Sequence, residues 1–175
     1  MSKKSAGILA YREEAGYLKV LLVHPGGPFW AKKDEGAWSI PKGEFEDNEE
    51  PFAASKREFE EETGFPPDGE MIPLEPARQP SGKVIYAWAM KCQLDSSKLK
   101  SNTFTMEWPP KSGRYQEFPE IDRADWFTLQ EAKHKLLKGQ TAFLVQLQEK
   151  LGIQNQLSEK EEPPKSKTDP SYQRS

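Results

Sequence analysis

Apolar positions in much of the chain alternate or run together over short lengths, which is typical of β-strands. Residues 5–12 and 17–23 form the first two such stretches, and the acidic, glycine-containing segment between them predicts a hairpin turn. Residues 83–94 predict a long strand whose side chains alternate between two faces. Residues 37–41 predict a short extended segment that ends in a turn at Gly43. Together these stretches predict a sheet with buried strands.

One segment follows helical spacing instead. Residues 50–63 mix apolar and charged positions with a period close to that of an α-helix. Asn48 can cap its N-terminus, and Gly64 can end it. Phe52 and Phe59 are seven residues apart, so they share one face of this helix. We expect both rings to pack on the sheet.

The second half of the chain is less regular. Residues 95–119 contain several prolines and no periodic pattern, so they predict a long irregular loop of the kind that is functional or disordered. Residues 125–128 predict a short extended segment, and two helices are predicted over residues 129–137 and 141–151. The order of strands and helices predicts an α/β sandwich around a mixed sheet.

Composition limits the class of protein. Residues 1–153 have enough apolar side chains for one domain, whereas residues 154–175 are rich in Gln, Ser, Glu, Lys and Pro and predict a disordered tail. The net charge of -3 argues against a general nucleic-acid binder but permits an anionic ligand. The single cysteine, Cys92, excludes an internal disulfide and a cysteine-based zinc site. With no long apolar stretch and no signal-peptide core, we expect a cytoplasmic protein.

Three carboxylates on the predicted central helix carry the candidate chemistry. Glu58, Glu61 and Glu62 are spaced i, i+3 and i+4, which places them on one helix face. Like charges so close together repel unless a cation lies among them, and hard oxygen ligands suit Mg²⁺ or Mn²⁺. The alternative is a solvated acidic surface, which is the usual role of a charge run.

Residues around this cluster favour the metal site. The backbone carbonyl of Gly43 can face the same metal, and Arg57 can pair with Glu49 to hold the preceding loop to the helix. These positions resemble the Nudix box, the family pattern of Gly, five residues, Glu, seven residues, Arg-Glu-apolar, one residue, Glu-Glu, one residue and Gly-apolar. Every fixed place of this pattern is filled, by Gly43, Glu49, Arg57, Glu58, Phe59, Glu61, Glu62, Gly64 and Phe65.

The resemblance implies a fold, a cofactor and a reaction. It implies a Nudix-like α/β/α sandwich in which Gly43, Glu58, Glu61 and Glu62 bind Mg²⁺, with Mn²⁺ as a substitute. The reaction is hydrolysis of a diphosphate linkage in a nucleotide-type substrate. Metal ions offset the charge of the phosphates and lower the pKa of a bound water.

A carboxylate must also accept or orient the proton of the attacking water. Glu61 is one candidate inside the box. In several branches of the family a further Glu lies on a loop before a strand that contains Trp, and Glu120 lies six residues before Trp126. Glu117 is the competing candidate and Glu107 a weaker one, and each of the three could equally be a loop carboxylate in water.

The segment before the box bears on the substrate. Its sequence, HPGGPFWAKKDEGAWSIPKG, resembles a bacterial group of predicted nucleotide pyrophosphohydrolases in this family. Lys42 stands in a Pro-Lys-Gly that resembles branches acting on dinucleoside polyphosphates, whereas Pro80 resembles a feature of ADP-ribose pyrophosphatases. Loop aromatics can stack on a base and basic residues can bind phosphate. The candidate substrate contacts are Lys42, Trp30, Trp38, Lys83, Trp108 and Arg114.

Several functional hypotheses therefore stay open. The leading substrate is a dinucleoside polyphosphate or a nucleoside triphosphate, and the alternative is ADP-ribose or a nucleotide sugar. A non-catalytic nucleotide sensor is a further alternative, although the complete box argues against it. An RNA 5′-end substrate would require a basic groove. His24 and His134 are interpreted as structural, and a homodimer is compatible with the exposed aromatics.

Overall fold

The computed structural model describes residues 3–153 and 155–157. Nine strands are described: β1 (Lys4–Glu14), β2 (Tyr17–Pro25), β3 (Lys42–Glu44), β4 (Met71–Pro73), β5 (Ala77–Arg78), β6 (Val84–Lys91), β7 (Thr103–Glu107), β8 (Tyr115–Pro119) and β9 (Ile121–Thr128). The helices are α1 (Pro51–Thr63), α2 (Leu129–Lys135) and α3 (Ala142–Leu151), with a 3₁₀ turn at Ser96–Lys98. No helix of the described part is long and apolar enough to cross a membrane.

A mixed sheet forms the centre of the molecule, with the strand order β4-β6-β1-β2-β9. Strand β1 is antiparallel to β2 and parallel to β6, and β3 pairs with the first residues of β1. The β1–β2 hairpin turns at Ala15 and Gly16, both with positive φ, as a two-residue hairpin loop requires. The predicted hairpin is therefore present, with a tighter turn than the sequence suggested.

Helices cover both faces of this sheet. On one face α1 contributes Phe59 to a cluster with Ile8, Ala10, Leu21 and Met90. The neighbouring positions of β1 and β2 point the other way, and there α2 and α3 complete the larger cluster that includes Leu9, Val20, Leu22, Leu129, Phe143 and Leu144. This arrangement confirms the predicted α/β sandwich.

Helix α1 begins differently from the prediction. Its N-cap residue is Glu50, without a side-chain cap, so the assignment of Asn48 as the cap was wrong. The chain enters the helix directly at Pro51, whose fixed φ suits a first turn. Gly64 ends the helix in the left-handed conformation, at φ 80°. Phe59 is fully buried, whereas Phe52 is 41% exposed with its ring 5.2 Å from that of Trp88.

Two further predictions need correction. Residues 95–119 are not an irregular loop throughout, because β7 and β8 form a separate two-stranded sheet. Their sequence signal is weak, because only the five residues of β7 alternate between polar and apolar, and every side chain of the two strands is at least partly exposed. Gly43 lies within β3, paired with β1, and not in a turn.

The end of the chain bears on the predicted tail. Residue 154 and residues 158–175 lie outside the described residues, so disorder there stays a prediction. The side-chain oxygen of Gln156 accepts a hydrogen bond from the backbone N–H of Leu18, at 2.9 Å, and Leu157 packs against the larger core cluster. The first residues of the predicted tail therefore contact the sheet.

Candidate active site

Strand β3 brings Gly43 directly against the carboxylate of Glu58. A Cβ atom at position 43 would lie 1.9 Å from Oε2 of Glu58, far inside any allowed contact. Glu58 is only 9% exposed, so its carboxylate has little room to move away. Glycine is therefore required here by space, because the backbone at this position lies in a strand.

Arg57 connects the loop before α1 to the acidic face of the helix. Its Nε and Nη2 atoms donate to the two carboxylate oxygens of Glu49, at 2.8 and 2.9 Å. Its Nη1 atom donates to Glu58 at 2.7 Å and to Glu61 at 3.2 Å. The bond to Glu49, followed by those to the box carboxylates, raises the pKa of Arg57. One guanidinium thus holds three of the box carboxylates.

Glu62 contacts the start of β3 and not this arginine. Its carboxylate accepts the backbone N–H of Lys42 at 3.1 Å. Burial raises the pKa of Glu62 to about 8, and burial also raises the pKa of Glu58. Burial lowers the pKa of the Lys42 amine. These groups are costly to keep charged without a counter-ion.

The donor set fits a divalent cation. Carboxylate oxygens are the ligands that Mg²⁺ and Mn²⁺ prefer, and a cation would offset the cost of ionising the partly buried Glu58 and Glu62. Within residues 3–153 and 155–157, no three His, Cys, Asp or Glu side chains are grouped so as to hold a metal ion as they stand. Two of the carboxylates, those of Glu58 and Glu61, contact Arg57 instead.

A cavity of about 210 Å³ lies beside the acidic cluster. It contains an aromatic ring, an amine and two carboxylates, from Trp30, Lys42, Glu62 and Glu120. Its remaining walls are mostly apolar and come from Val23, Pro25, Ala37, Ser39, Ile121 and Leu137. A cation and an aromatic face in one cavity can bind the phosphate and the base of a nucleotide.

The structure separates the candidates for the base. Glu120 lines the cavity, and its pKa is raised by partial burial and by the charge of Glu61. Its charge in turn raises the pKa of Glu58 and of Glu62, so four carboxylates converge here. Glu117 is exposed on β8 opposite Thr105, outside the set of cavity residues.

Glu107 has a different role in the fold. Its carboxylate accepts the backbone N–H groups of Lys111 and Gly113, at 2.9 and 3.2 Å. It therefore ties together the tip of the β7–β8 hairpin, and this local task accounts for its position.

Among the predicted substrate contacts, Trp38 must be corrected. Its side chain is 2% exposed, and its indole N–H donates to Asp34 at 2.8 Å. Its ring packs edge-on against those of His24 and Phe127, at centroid distances of 5.1 and 5.0 Å. Trp38 is a core residue without a face for a ligand, because the rings of His24 and Phe127 and the guanidinium of Arg123 surround it.

The other predicted contacts divide between the cavity and its surroundings. Trp30 and Lys42 line it, and Lys83 lies near enough for its charge to lower the pKa of Lys42 while its amine pairs with Glu44 at 3.5 Å. Trp108 and Arg114 belong to the hairpin tip, where their backbones are hydrogen-bonded at 2.9 Å. Both are absent from the described lining of the cavity.

Sequence reasoning missed the apolar walls of the cavity. Val23, Ile121 and Leu137 come from distant parts of the chain, and each looks like an ordinary core residue in its own segment. No local signal could have selected them. His24 was interpreted as structural, but it lies between two lining residues of β2 and contacts the loop that carries Trp30.

Comparison with known proteins agrees with the fold and the box. The family model described as the NUDIX domain matches residues 1–147. No protein of curated function matches the chain in a sequence search. Among solved structures, a C. elegans Ap4A hydrolase in a binary complex has a TM-score of 0.60 and 19% identity, covering 85% of this chain and 98% of its own.

Two further structures have the same fold. The NUDIX domain of Shewanella oneidensis NrtR, complexed with ADP ribose, has a TM-score of 0.58 and 17% identity, covering 86% of this chain and 89% of its own. A mutT/nudix family protein from Listeria innocua has a TM-score of 0.56 and 17% identity, with 86% and 94% covered. With the family model matching most of its length and the box residues grouped at one site, this chain belongs to the Nudix family of hydrolases, which act on pyrophosphate bonds.

Proposed function

We propose that this chain is a Mg²⁺-dependent pyrophosphohydrolase, with Mn²⁺ as a substitute, that cleaves a dinucleoside polyphosphate or a nucleoside triphosphate. The observation that carries the proposal is the cavity beside the box. It joins Lys42 and Trp30, which can bind phosphate and base, to the carboxylates Glu62 and Glu120. The amine of Lys42 lies in the site, where burial works against its charged form. The negative charge of several adjacent phosphates would favour that charged form, and this favours a polyphosphate substrate.

The box carboxylates would hold the metal in this proposal. Glu58, Glu61 and Glu62 would bind it together with the carbonyl oxygen of Gly43, and the bound metal supplies phosphate activation and a more acidic water. Arg57 holds Glu58 and Glu61 at one edge of the cluster. Its two hydrogen bonds to Glu49 would keep the arginine in place when those carboxylates bind a cation.

Glu120 is the proposed base. It lines the cavity and its raised pKa brings it closer to neutral pH, which improves a carboxylate as a proton acceptor. Its carboxylate would take the proton of the attacking water. Lys42 would donate hydrogen bonds to phosphate oxygens, and Trp30 would stack on one base.

The cavity also limits how the substrate is bound. Its volume of about 210 Å³ is below the roughly 300–1,000 Å³ of common ligand sites. It therefore encloses one nucleotide end of a dinucleoside polyphosphate, and the second nucleoside lies outside. A nucleoside triphosphate would leave that outer region empty, so the two substrates differ in what they contact.

A substrate panel tests the proposal. The full chain is assayed with Mg²⁺, with Mn²⁺ and after chelation on diadenosine polyphosphates, nucleoside triphosphates, ADP-ribose, nucleotide sugars and capped RNA. We expect kcat/KM for the first two classes to exceed the others by about tenfold, the ratio that one charge-assisted contact can supply. A preference for ADP-ribose or nucleotide sugars would overturn the substrate, and nucleotide binding without turnover of any compound would favour a sensor.

A matched pair of variants tests the metal assignment in the same assay. Glu61→Gln should abolish Mg²⁺-dependent turnover while the fold stays intact, because an amide is a poor ligand for a hard cation. Glu60→Gln is the control, since Glu60 is exposed and outside the set of box carboxylates that Arg57 contacts. Wild-type turnover by Glu61→Gln would show that the metal is bound elsewhere.

A further inference from the structure

His24 is completely buried and contacts two segments that line the cavity. It is the penultimate residue of β2, and its side chain is 0% exposed. Its Nδ1 atom lies 2.8 Å from Oδ1 of Asp122 on β9. Its Nε2 atom lies 2.6 Å from the backbone oxygen of Lys33, in the loop of residues 26–36. One ring thus bridges β9 and the loop of residues 26–36.

Both neighbours of the ring offer an oxygen atom to it. The carbonyl of Lys33 can only accept, so the Nε2–H of His24 donates to it. Nδ1 and Oδ1 of Asp122 share the second hydrogen bond. The ring therefore connects the loop to β9 through two hydrogen bonds of less than 3 Å.

The surroundings of His24 hold the ring in this position. Strand register shifts between His24 and Pro25, which leaves Asp122 unpaired in the ladder and free to face the ring. The ring centroid of Trp38 lies 5.1 Å from that of the imidazole, and the two rings meet edge-on. Other charges approach from β9, α2 and the loop: Arg123 lies 3.9 Å from Asp122, and Lys135 pairs with Asp34.

The two bonds of His24 reach the cavity through the backbone. The N–H of Lys33 donates to the carbonyl of Trp30 at 3.0 Å, so holding Lys33 also holds the residue that lines the cavity. Asp122 is two residues after Glu120, whose carbonyl accepts the N–H of Gly26 at 2.8 Å. His24 thus acts on both ends of the same loop and on the start of β9.

We infer that His24 is a positioning residue: it bonds Lys33 and Asp122 together and so fixes Trp30 and Glu120 relative to each other across the cavity. The role of those two residues rests on the proposed function, whereas the two hydrogen bonds of the ring do not. A positioning role predicts that each bond of the ring controls a different kinetic constant.

Two isosteric variants test the positioning role. The amide nitrogen of Gln can replace Nε2 and keep the bond to Lys33, whereas that of Asn can replace Nδ1 and keep the bond to Asp122. We expect His24→Asn to release the loop and raise KM about tenfold, and His24→Gln to release β9 and lower kcat about tenfold. Hydrogen exchange of residues 26–36 should increase in His24→Asn only.

The outcomes separate this inference from the proposed function. If no nucleotide is turned over, the hydrogen exchange still decides whether His24 holds the loop. If turnover occurs but both variants change KM and kcat alike, together with the melting temperature, the role of His24 is general stability. Equal exchange of the loop in both variants would also overturn the positioning role.

Discussion

Individual side chains in this molecule are constrained by charge and by space to different degrees. Glu62 and Lys42 are partly buried and face each other across the start of the cavity, where burial works against the charge of both. Gly43 is limited by contact alone, because the carboxylate of Glu58 fills the place of a side chain. Experiments on single residues can therefore test the effect of space and the effect of ionisation separately.

Gly43→Ala should inactivate the enzyme. The added Cβ would meet Oε2 of Glu58 at 1.9 Å, so the carboxylate must leave its position against β3. We expect kcat/KM to fall by about a hundredfold or more, as for other losses of charge stabilisation at a reacting centre. Gly152→Asn is a matched control, because position 152 is open and its φ of 63° suits Asn. Near-normal turnover by Gly43→Ala would contradict the contact.

Cys92 provides a test of ionisation outside the carboxylate cluster. Burial raises the pKa of its thiol to about 11, from 9.0. Because the folded pKa is the higher one, the free energy of unfolding falls as pH rises from about 9 through 11. Below that window the thiolate is scarce, so alkylation at about pH 8 should be at least tenfold slower in the folded chain than in denaturant. Equal rates would mean that Cys92 is accessible and unperturbed.

At the scale of elements, the β8–β9 connection decides which glutamate reaches the cavity. Glu117 belongs to β8, which pairs with β7 in the small sheet, whereas the chain joins the central sheet one residue after Glu120. The backbone of Glu120 is fixed from both sides, since its N–H donates to Asn102 and its carbonyl accepts from Gly26, each at 2.8 Å. Two carboxylates three residues apart are thus held by different sheets.

This difference predicts the order of two variants. Glu120→Gln should lower kcat by about a hundredfold, the usual contribution of a general base, because its carboxylate lies at the cavity. Glu117→Gln should change kcat by less than about threefold, since its exposed side chain has no described contact with the cavity. Both variants are compared by steady-state kinetics at saturating Mg²⁺. The reverse order would transfer the role to Glu117.

At the scale of the whole molecule, the acidic cluster joins two layers of the sandwich. Helix α1 supplies Glu58, Glu61 and Glu62, and β3 supplies Gly43. Their mutual repulsion opposes folding in the absence of a cation, so a metal that binds only the folded chain should stabilise the entire domain.

Mg²⁺ should therefore raise the melting temperature. At about one hundred times its Kd, binding adds about 2.7 kcal/mol to the free energy of unfolding, which corresponds to roughly 5–10 °C for a domain of this size. Differential scanning calorimetry with and without Mg²⁺ measures the shift. Glu61→Gln should lose most of it, while Glu60→Gln should keep it. An equal shift in all three proteins would place the stabilising metal outside the box.

Elements with a local signal could be predicted from the order of residues alone. The i, i+3, i+4 spacing put Glu58, Glu61 and Glu62 on one helix face, and Gly64 ended that helix as expected. Apolar runs located β1, β2 and β6, because a strand buried on both faces shows its burial in its own residues. The family pattern added the fold and the class of reaction, since it is contained in 23 consecutive residues.

The surroundings of the cluster depend on contacts between distant segments and could not be predicted in this way. The cavity is assembled from β2, β3, α1, the start of β9 and the loop that carries Trp30, and their contacts depend on packing between segments far apart in sequence. The same packing buried Trp38 and gave His24 two hydrogen-bond partners. Periodicity reports whether a side chain is buried, but not which other segment buries it, and for that reason Trp30 and Trp38 both stayed candidate substrate contacts until the fold separated them.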